Sequence, residues 1–382
     1  MATNRIKELY EREGQSAWQD DISRDMLNQG AILTAIKETG IRGLTSNPTI
    51  FEKAIAAGSA YDEEIAGLLG QNLDIADIFE AVAVRDIQAA CDLFRPLYDL
   101  SEGGDGFVSI EVSPLGARDA KRTTDDARRL WKAVDRPNLM VKIPGTVEGT
   151  PVIRQMLLEG ININVTLLFS IEAYERVARA YIEALTERHA SGRPVNRIAS
   201  VASFFVSRVD ALVDKQLDEK IAATSDETTK GWLASLRGKA AVANAKVAYE
   251  SFARHFAGDA WTDLAAVGAA VQRPLWASTS VKNPSYPDTM YVDELIGPHT
   301  VNTMPRPTII AFQDHGTVAR TIDTGVAAAH KTMADLEAAG IDIGAVTDQL
   351  EEEGIASFAK SFDSLLKGVE AKRSMLATAP AD

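Results

Sequence analysis

The sequence contains a single cysteine, Cys91, among 382 residues, so no disulfide can form within the chain. Because its neighbours are mostly apolar, we expect Cys91 to be a small buried core residue. No run of residues approaches the roughly 20 apolar residues that span a bilayer. The first residues are polar or charged rather than the apolar core of a secretion signal. These absences predict a cytoplasmic protein without a membrane partner.

Signatures of bound metals, nucleotides and nucleic acids are also missing. The five histidines are scattered and lack the i, i+4 partner or CxxC pair typical of a zinc site. No GxGxxG or GxxxxGK[ST] motif follows a predicted strand. The formal net charge is -14, and no basic stretch is dense enough to hold nucleic acid. We therefore expect no metal, no organic cofactor and no nucleic-acid partner.

Short apolar runs alternate along the chain with longer stretches of helical spacing. This alternation predicts a parallel sheet of strand–helix units. Eight units without a two-halved glycine-rich signature favour an α/β fold of the closed (β/α)8 TIM barrel type. The predicted strands are 17–20, 42–46, 107–112, 138–143, 161–167, 198–204, 274–277 and 299–304. The clearest predicted helices are 75–94, 119–133, 147–158 and 171–189.

Several regions exceed a minimal barrel. The stretch 218–258 is long and rich in helical pattern, and 280–298 is a loop with proline and tyrosine between the last two strands. A C-terminal helical extension near 343–376 could cap the barrel. Because no internal repeat is visible, we expect 1–382 to form one barrel domain with a helical insertion near 218–258.

Polar residues alternate with apolar residues in two predicted strands, at 107–112 and 161–167. Successive side chains of a strand face opposite sides. If the apolar ones face the helices, then Glu111, Asn164 and Thr166 point into the barrel, and the same alternation points Lys142 inward. Barrel interiors are usually filled by branched apolar side chains. A polar interior therefore indicates a functional site.

Lys142 is the candidate nucleophile. Pro144 and Gly145 place it at the C-terminal end of its strand, where barrel active sites lie. Burial of a lysine among apolar neighbours favours the neutral amine, which can attack a carbonyl and form a Schiff base. The alternative interpretation is a lysine at a strand end whose ammonium group reaches solvent.

Three further residues are candidates for proton transfer. A Schiff base forms and breaks with loss and gain of water, and the Glu111 carboxylate with the Thr166 hydroxyl could assist. The alternative is a simple hydrogen-bonded pair at the barrel end. Asp20 is a candidate acid/base for cleaving a carbon–carbon bond, but adjacent Asp21 competes for that role. Asp20 could equally be a loop carboxylate beside a helix that Ser23 caps.

Two asparagines, Asn47 and Asn164, offer neutral donors and acceptors suited to sugar hydroxyls. Asn47 precedes a proline, and Asn-Pro is also a common start of a turn. A phosphate could be held by a hydroxyl, a guanidinium and an ammonium group, supplied by Ser203, Arg208 and Lys282. The alternative for Arg208 is a surface ion pair with Asp210 or another nearby acid.

The sequence resembles the transaldolase family in seven segments that occur in the family's order. The segments are 18–24 (WQDDISR), 45–50 (TSNPTI), 108–114 (VSIEVSP), 141–146 (VKIPGT), 164–170 (NVTLLFS), 203–208 (SFFVSR) and 276–284 (WASTSVKNP). The chain length and the extended C-terminal region are similar to the longer bacterial form. The resemblance implies a barrel of the class I aldolase type.

The resemblance also implies roles for the candidate residues. Lys142 would form the Schiff base, Glu111 and Thr166 would hold the assisting water, and Asp20 would move the proton of the hydroxyl beside the cleaved bond. Asn47 and Asn164 would hold the dihydroxyacetone hydroxyls, and Ser203 and Arg208 the phosphate. Lys282 stands where shorter relatives commonly have arginine, and a lysine cannot give a bidentate contact.

The implied reaction moves a dihydroxyacetone unit from sedoheptulose 7-phosphate to glyceraldehyde 3-phosphate. The products are erythrose 4-phosphate and fructose 6-phosphate, and the reaction belongs to the non-oxidative pentose phosphate pathway. The partners are then phosphorylated sugars, and the expected assembly is a monomer or homodimer. Two alternatives remain, a fructose 6-phosphate aldolase-like lyase and a non-catalytic sugar-phosphate-binding barrel.

Overall fold

A closed barrel of eight parallel strands, paired in chain order, forms the centre of the protein. The computed structural model describes residues 4–71 and 73–378. The strands are β1 Gln15–Gln19, β2 Gly43–Leu44, β3 Phe107–Glu111, β4 Leu139–Pro144, β5 Ile163–Leu168, β6 Ser200–Phe205, β7 Arg273–Ala277 and β8 Thr300–Met304. Each overlaps one predicted strand, so the predicted (β/α)8 fold class is confirmed.

Helices surround the barrel, and the four that the sequence predicts most clearly are all present. The described helices are α1 Arg5–Glu13, α2 Arg24–Asn28, α3 Ala31–Thr34, α4 Pro48–Ala56, α5 Asp62–Leu68, α6 Ile75–Leu100, α7 Ala120–Val134, α8 Gly149–Glu159, α9 Ile171–Ala190, α10 Ser207–Ala223, α11 Glu227–Ala234, α12 Ala240–His255, α13 Asp259–Ala266, α14 Met290–Asp293, α15 Arg306–His315, α16 Val326–Ala338 and α17 Ile343–Thr378. The region 218–258 contains the end of α10, all of α11 and α12, and the turn between them.

Local capping determines where several of these helices begin and end. The Asp119 side chain accepts a hydrogen bond from the Arg122 N–H at the start of α7, and Asp135 ends that helix in the left-handed conformation. The Ser170 side chain likewise caps α9 by accepting from the Ala173 N–H. These caps satisfy backbone groups that have no partner within the helix. The caps therefore define the residues at which α7 begins and ends and at which α9 begins.

The hydrophobic core lies mainly between the strands and the helices. Cys91 on α6 is fully buried and unpaired within it, as the sequence predicts. The helix α17 lies against α4, α10 and β5 and so extends over the C-terminal ends of the strands. Within the described ranges, none of the helices is both long and apolar enough to cross a membrane.

A buried ion network closes the N-terminal end of the barrel. Asp105, which directly precedes β3, is 1% exposed. Its carboxylate accepts hydrogen bonds from the Ser16 hydroxyl, the Trp18 indole (3.0 Å), Arg42 (2.7 Å) and Arg273 (3.3 Å). These residues come from β1, β7 and the segments before β2 and β3. One carboxylate therefore connects, through hydrogen bonds, parts of the barrel that are far apart in the sequence.

Candidate active site

The C-terminal ends of the strands surround a cavity of about 210 Å³. Seven of the nine predicted site residues line it: Asp20, Asn47, Lys142, Thr166, Ser203, Arg208 and Lys282. They follow or end β1, β2, β4, β5, β6 and β7, because a parallel barrel brings all the C-terminal strand ends to one face. The two others, Glu111 and Asn164, lie behind this lining.

Lys142 lies on β4 and is only 5% exposed. Its Nζ donates to Glu111 Oε2 at 3.2 Å and to the Ser46 carbonyl at 3.3 Å. Glu111 is its direct neighbour across the β3–β4 pairing. The Phe358 ring of α17 lies 5.6 Å from Nζ. The amine is therefore enclosed and faces the cavity, and the solvent-exposed alternative does not fit this geometry.

Glu111 is paired with Lys142 in surroundings that disfavour a free charge. Its side chain is 4% exposed, and burial raises the pKa of the carboxyl group. The Lys142 charge acts in the opposite direction, and the Asp20 charge adds to the rise. A raised pKa makes the Glu111 carboxylate a stronger proton acceptor than an ordinary glutamate, which suits a group that exchanges protons with a neighbour.

The structure distinguishes the two adjacent aspartates by their positions. Asp20 lines the cavity, and its Oδ1 accepts from the Thr45 hydroxyl at 2.6 Å, which itself contacts the Thr303 hydroxyl at 2.7 Å. Burial raises the pKa of Asp20, whereas the Lys142 charge and the Thr45 hydrogen bond lower it. Asp21 is not part of the cavity lining. Asp20 is thus the aspartate placed to act with Lys142.

Thr166 presents a hydroxyl that has no partner among the described residues. Its Oγ1 is buried, and the pairing of β5 with β6 shifts register between Val165 and Leu168. Within that irregularity Leu167 adopts the left-handed conformation with φ 59°, which is strained for a branched side chain. A buried unpaired hydroxyl is uncommon, so Thr166 keeps a free hydrogen-bonding group at the cavity lining.

The two asparagines differ in how far their side chains are available. Asn47 Oδ1 accepts from the Ile50 N–H at 3.0 Å and caps α4. The alternative interpretation of Asn47, as a residue that starts a turn before a proline, therefore also agrees with the structure. This leaves the Asn47 Nδ2 group as a donor at the cavity. Asn164 is fully buried: Nδ2 donates to Ser109 at 3.0 Å, and Oδ1 accepts from Ser203 at 2.7 Å. Asn164 therefore orients Ser203 rather than lining the cavity.

Two cations share the cavity. Among the described residues no carboxylate lies within 4 Å of Arg208, although the Glu353 charge acts on it, and its guanidinium stacks 5.4 Å from the Phe205 ring centroid. The alternative pairing with Asp210 is not formed, because that carboxylate bonds elsewhere. Lys282 donates to the Ser280 hydroxyl at 2.7 Å. Burial, followed by the nearby Arg208 charge, lowers the pKa of Lys282. Cations placed together in this way favour an anionic ligand.

Several lining residues were not predicted, including Thr45, Phe205, Ser278, Thr303 and Phe358. Thr45 and Phe205 lie inside segments that carry the family resemblance, so their sequence context could have indicated them. Phe358 comes from α17, and nothing in its local sequence connects it with Lys142. Only the packing of α17 on the barrel reveals that contact.

A second cavity of about 200 Å³ lies on the other side of Asn47 and Glu111. Its walls include Phe51, Phe79 and Phe362. Glu111 lines this cavity too, but Lys142, Arg208 and Lys282 do not, so the first cavity is the candidate active site.

Comparison with known proteins agrees with the resemblance. The family model described as Transaldolase/Fructose-6-phosphate aldolase matches residues 17–369. A protein named transaldolase from Trichodesmium erythraeum is 47% identical over 374 residues, covering 97% of this chain and 98% of the relative. Another, from Saccharopolyspora erythraea, is 48% identical over 370 residues, covering 97% and 98%. The predicted resemblance is confirmed, and the chain belongs to the transaldolase/fructose-6-phosphate aldolase family.

Proposed function

We propose that the protein is a transaldolase that carries a dihydroxyacetone unit on Lys142 as a Schiff base. One observation above all supports the proposal: the enclosed Lys142 amine, 3.2 Å from the Glu111 carboxylate, opens onto the cavity that holds Arg208 and Lys282. A carbonyl-reactive amine and an anion site in one cavity suit a ketose phosphate. Relatives over nearly the full chain are named transaldolase, which supports the same activity.

The first half of the reaction forms the covalent intermediate. The donor binds with its phosphate at Arg208, Lys282 and Ser203, which places its C2 carbonyl at Lys142. After Lys142 passes a proton to the Glu111 carboxylate, its amine attacks C2 to form a carbinolamine. The carbinolamine hydroxyl takes up a proton from Glu111 and leaves as water, and an iminium ion remains. Glu111 and the unpaired Thr166 hydroxyl hold that water and exchange its protons.

The second half breaks and remakes a carbon–carbon bond. Asp20 removes the proton of the C4 hydroxyl, the C3–C4 bond breaks, and its electron pair passes into the iminium group to form an enamine. The shortened aldose phosphate leaves, and an acceptor aldehyde takes its place. The enamine then attacks the acceptor, Asp20 returns the proton, and water hydrolyses the new iminium ion. The lysine iminium is the electron sink throughout.

The substrates we propose are sedoheptulose 7-phosphate and glyceraldehyde 3-phosphate, with fructose 6-phosphate and erythrose 4-phosphate as products. The pathway is the non-oxidative pentose phosphate pathway, in the cytoplasm. Whether the enzyme is a monomer or homodimer stays a prediction, which sedimentation equilibrium would decide.

The rival activity within the family is a lyase that releases free dihydroxyacetone. Phe358 and α17 cover Lys142, and this shielding would protect an enamine from protonation until an aldehyde arrives. This favours the transferase. Turnover of fructose 6-phosphate with and without erythrose 4-phosphate separates the two activities, since only a lyase turns over without an acceptor.

The decisive test traps the intermediate. The protein is incubated with fructose 6-phosphate and sodium borohydride, and added mass is located by peptide mass spectrometry. We expect a dihydroxyacetone-derived adduct on the Lys142 peptide. Lys142→Ala should lack the adduct, whereas Lys246→Met, which removes a buried lysine outside the cavity, should retain it. An adduct on another lysine would assign the Schiff base to that lysine instead of Lys142. Ligand binding without an adduct would support a non-catalytic barrel.

A further inference from the structure

Lys282 lies on the long connection between β7 and β8, and its side chain lines the cavity but stays partly open to solvent. A flexible lysine on a loop does not by itself hold a defined place in a phosphate site, because its stem has many rotamers. Something must keep this segment beside Arg208, which lies at the start of α10.

The helix α10 holds the loop through the carboxylate of Asp214, six residues beyond Arg208. Asp214 Oδ2 accepts from the Tyr286 hydroxyl at 2.7 Å, and Tyr286 belongs to the Lys282 loop. Asp214 Oδ1 accepts from the Gly238 N–H at 2.9 Å, in the turn between α11 and α12. One side chain therefore connects α10, the helical insertion and the loop.

The same arrangement is repeated one turn earlier on α10. Asp210 Oδ2 accepts from the Tyr291 hydroxyl at 2.8 Å, and Asp210 Oδ1 accepts from the Ala241 N–H at 2.8 Å. In both cases a carboxylate of α10 joins a tyrosine of the β7–β8 connection to a backbone N–H of the insertion. The repetition indicates a built contact rather than a chance surface bond.

Gly238 is required where it stands for two reasons. Its φ of 66° is in the left-handed region, and a Cβ there would lie 2.7 Å from Tyr286 Cζ. The absence of a side chain lets the tyrosine ring pack directly on the turn. The insertion therefore supports the ring whose hydroxyl Asp214 holds.

The beginning of the loop is tied to α10 as well. The Ser207 N–H donates to the Ser278 carbonyl at 3.1 Å, and the two hydroxyls are 3.0 Å apart. Lys282 thus lies between two attachments to α10, at Ser278 and at Tyr286. Both attachments act on the helix that carries Arg208.

We propose that the Asp214–Tyr286 bridge, supported by the Gly238 turn of the insertion, positions Lys282 beside Arg208 and thereby sets the preference for phosphorylated over unphosphorylated sugars. The inference rests on the proposed function and gives the 218–258 insertion a role in substrate recognition. Asp214 and Tyr286 are positioning residues, because neither lines the reaction cavity.

The test is Tyr286→Phe, which removes one hydroxyl and keeps the ring. Loss of one hydrogen bond is worth about 0.5–1.5 kcal/mol, so the KM for fructose 6-phosphate and the Ki for inorganic phosphate should each rise roughly 2- to 12-fold. The kcat should change little. Activity with unphosphorylated fructose or dihydroxyacetone as donor should not change. Gly238→Ala should act in the same direction.

Two comparisons distinguish positioning from a general loss of structure. Tyr249→Phe removes the hydroxyl that donates to the Pro298 carbonyl, away from Lys282, and should leave the Ki for phosphate unchanged. In a Lys282→Ala background, Tyr286→Phe should have no further effect. Equal losses with both kinds of donor, an unchanged Ki, or additive effects with Lys282→Ala would overturn the proposal. Borohydride trapping at Lys142 is measured in parallel, so failure of the proposed chemistry is recognised separately.

Discussion

At the scale of single residues, the site is defined by polar groups whose surroundings change their chemistry. Burial raises the pKa of both Asp20 and Glu111, and the positive charge of Lys142 offsets part of each rise. The Thr166 hydroxyl is buried without a partner in the described structure. Two carboxyl groups and a buried hydroxyl therefore lie close to one amine.

The raised pKa of Asp20 predicts the acid limb of the pH profile. Asp20 must be ionised to accept the substrate proton, so activity is present above its raised pKa and is lost as pH falls through it. We expect the acid limb of kcat/KM to lie above the ordinary aspartate value of about 3.9.

Asp20→Asn should lower kcat about 10²- to 10⁴-fold. Asp21→Asn is the matched control and should retain activity, and the opposite ranking would reassign the acid/base. Rates between pH 4 and 8 provide the measurement.

Thr166→Val separates chemistry from stability. Because the hydroxyl has no protein partner, its removal should not lower the free energy of unfolding. The rate of Schiff-base formation should fall roughly 10- to 100-fold, since the assisting water loses its support. Quenched-flow borohydride trapping gives the rate, and urea denaturation gives the stability. An unchanged trapping rate would remove Thr166 from the mechanism.

At the scale of elements, α17 is the part that closes the site. It brings Phe358 to 5.6 Å from the Lys142 Nζ, measured to the ring centroid, and Phe362 to the neighbouring cavity. In the proposed mechanism, the contribution of α17 is to limit the access of water to the enamine through Phe358.

Phe358→Leu should therefore shift the enzyme towards lyase behaviour. We expect a larger fraction of turnovers to end in free dihydroxyacetone, because a smaller side chain admits water that protonates the enamine. Chromatographic analysis of products at a fixed acceptor concentration measures the fraction. Phe362→Leu makes the same change on the same helix away from Lys142 and should leave the fraction unchanged. An equal shift in both variants would indicate loosening of the helix rather than local shielding.

At the scale of the whole molecule, the two ends of the barrel have different tasks. The C-terminal end holds the cavity, whereas the N-terminal end is closed by the Asp105 network with Arg42 and Arg273. This division predicts that stability and activity can be changed independently.

Asp105→Ala should destabilise the fold by roughly 3–5 kcal/mol, because it removes a buried carboxylate and leaves two partly buried arginines without their counter-charge. The kcat of the folded enzyme should be nearly unchanged, since the network lies at the opposite end from Lys142. Asp99→Ala breaks an exposed pair with Arg95 and should cost less than about 1 kcal/mol. Urea unfolding and initial rates measure the two properties. A large loss of kcat in folded Asp105→Ala would show that the ends are coupled.

Element boundaries show where sequence patterns stopped being informative. The first strand is predicted from residue 17 but begins at Gln15. Gln15 is a polar residue that can be buried there, since its amide donates to the Leu295 carbonyl and the Thr300 hydroxyl. The helix predicted to end at 94 continues to Leu100 through Pro96. Polar residues at a strand start and a proline within a helix depend on distant partners, which local patterns do not report.

Strand alternation and turn residues are local properties, and they were sufficient to predict the barrel, the inward direction of Lys142 and its position at a strand end. Three features became visible only in the folded molecule: Asp20 rather than Asp21 lines the cavity, Asn164 hydrogen-bonds Ser203, and Phe358 covers the amine. These contacts join residues far apart in the chain. Their distances depend on how strand ends, loops and α17 pack together, and no local pattern encodes that packing.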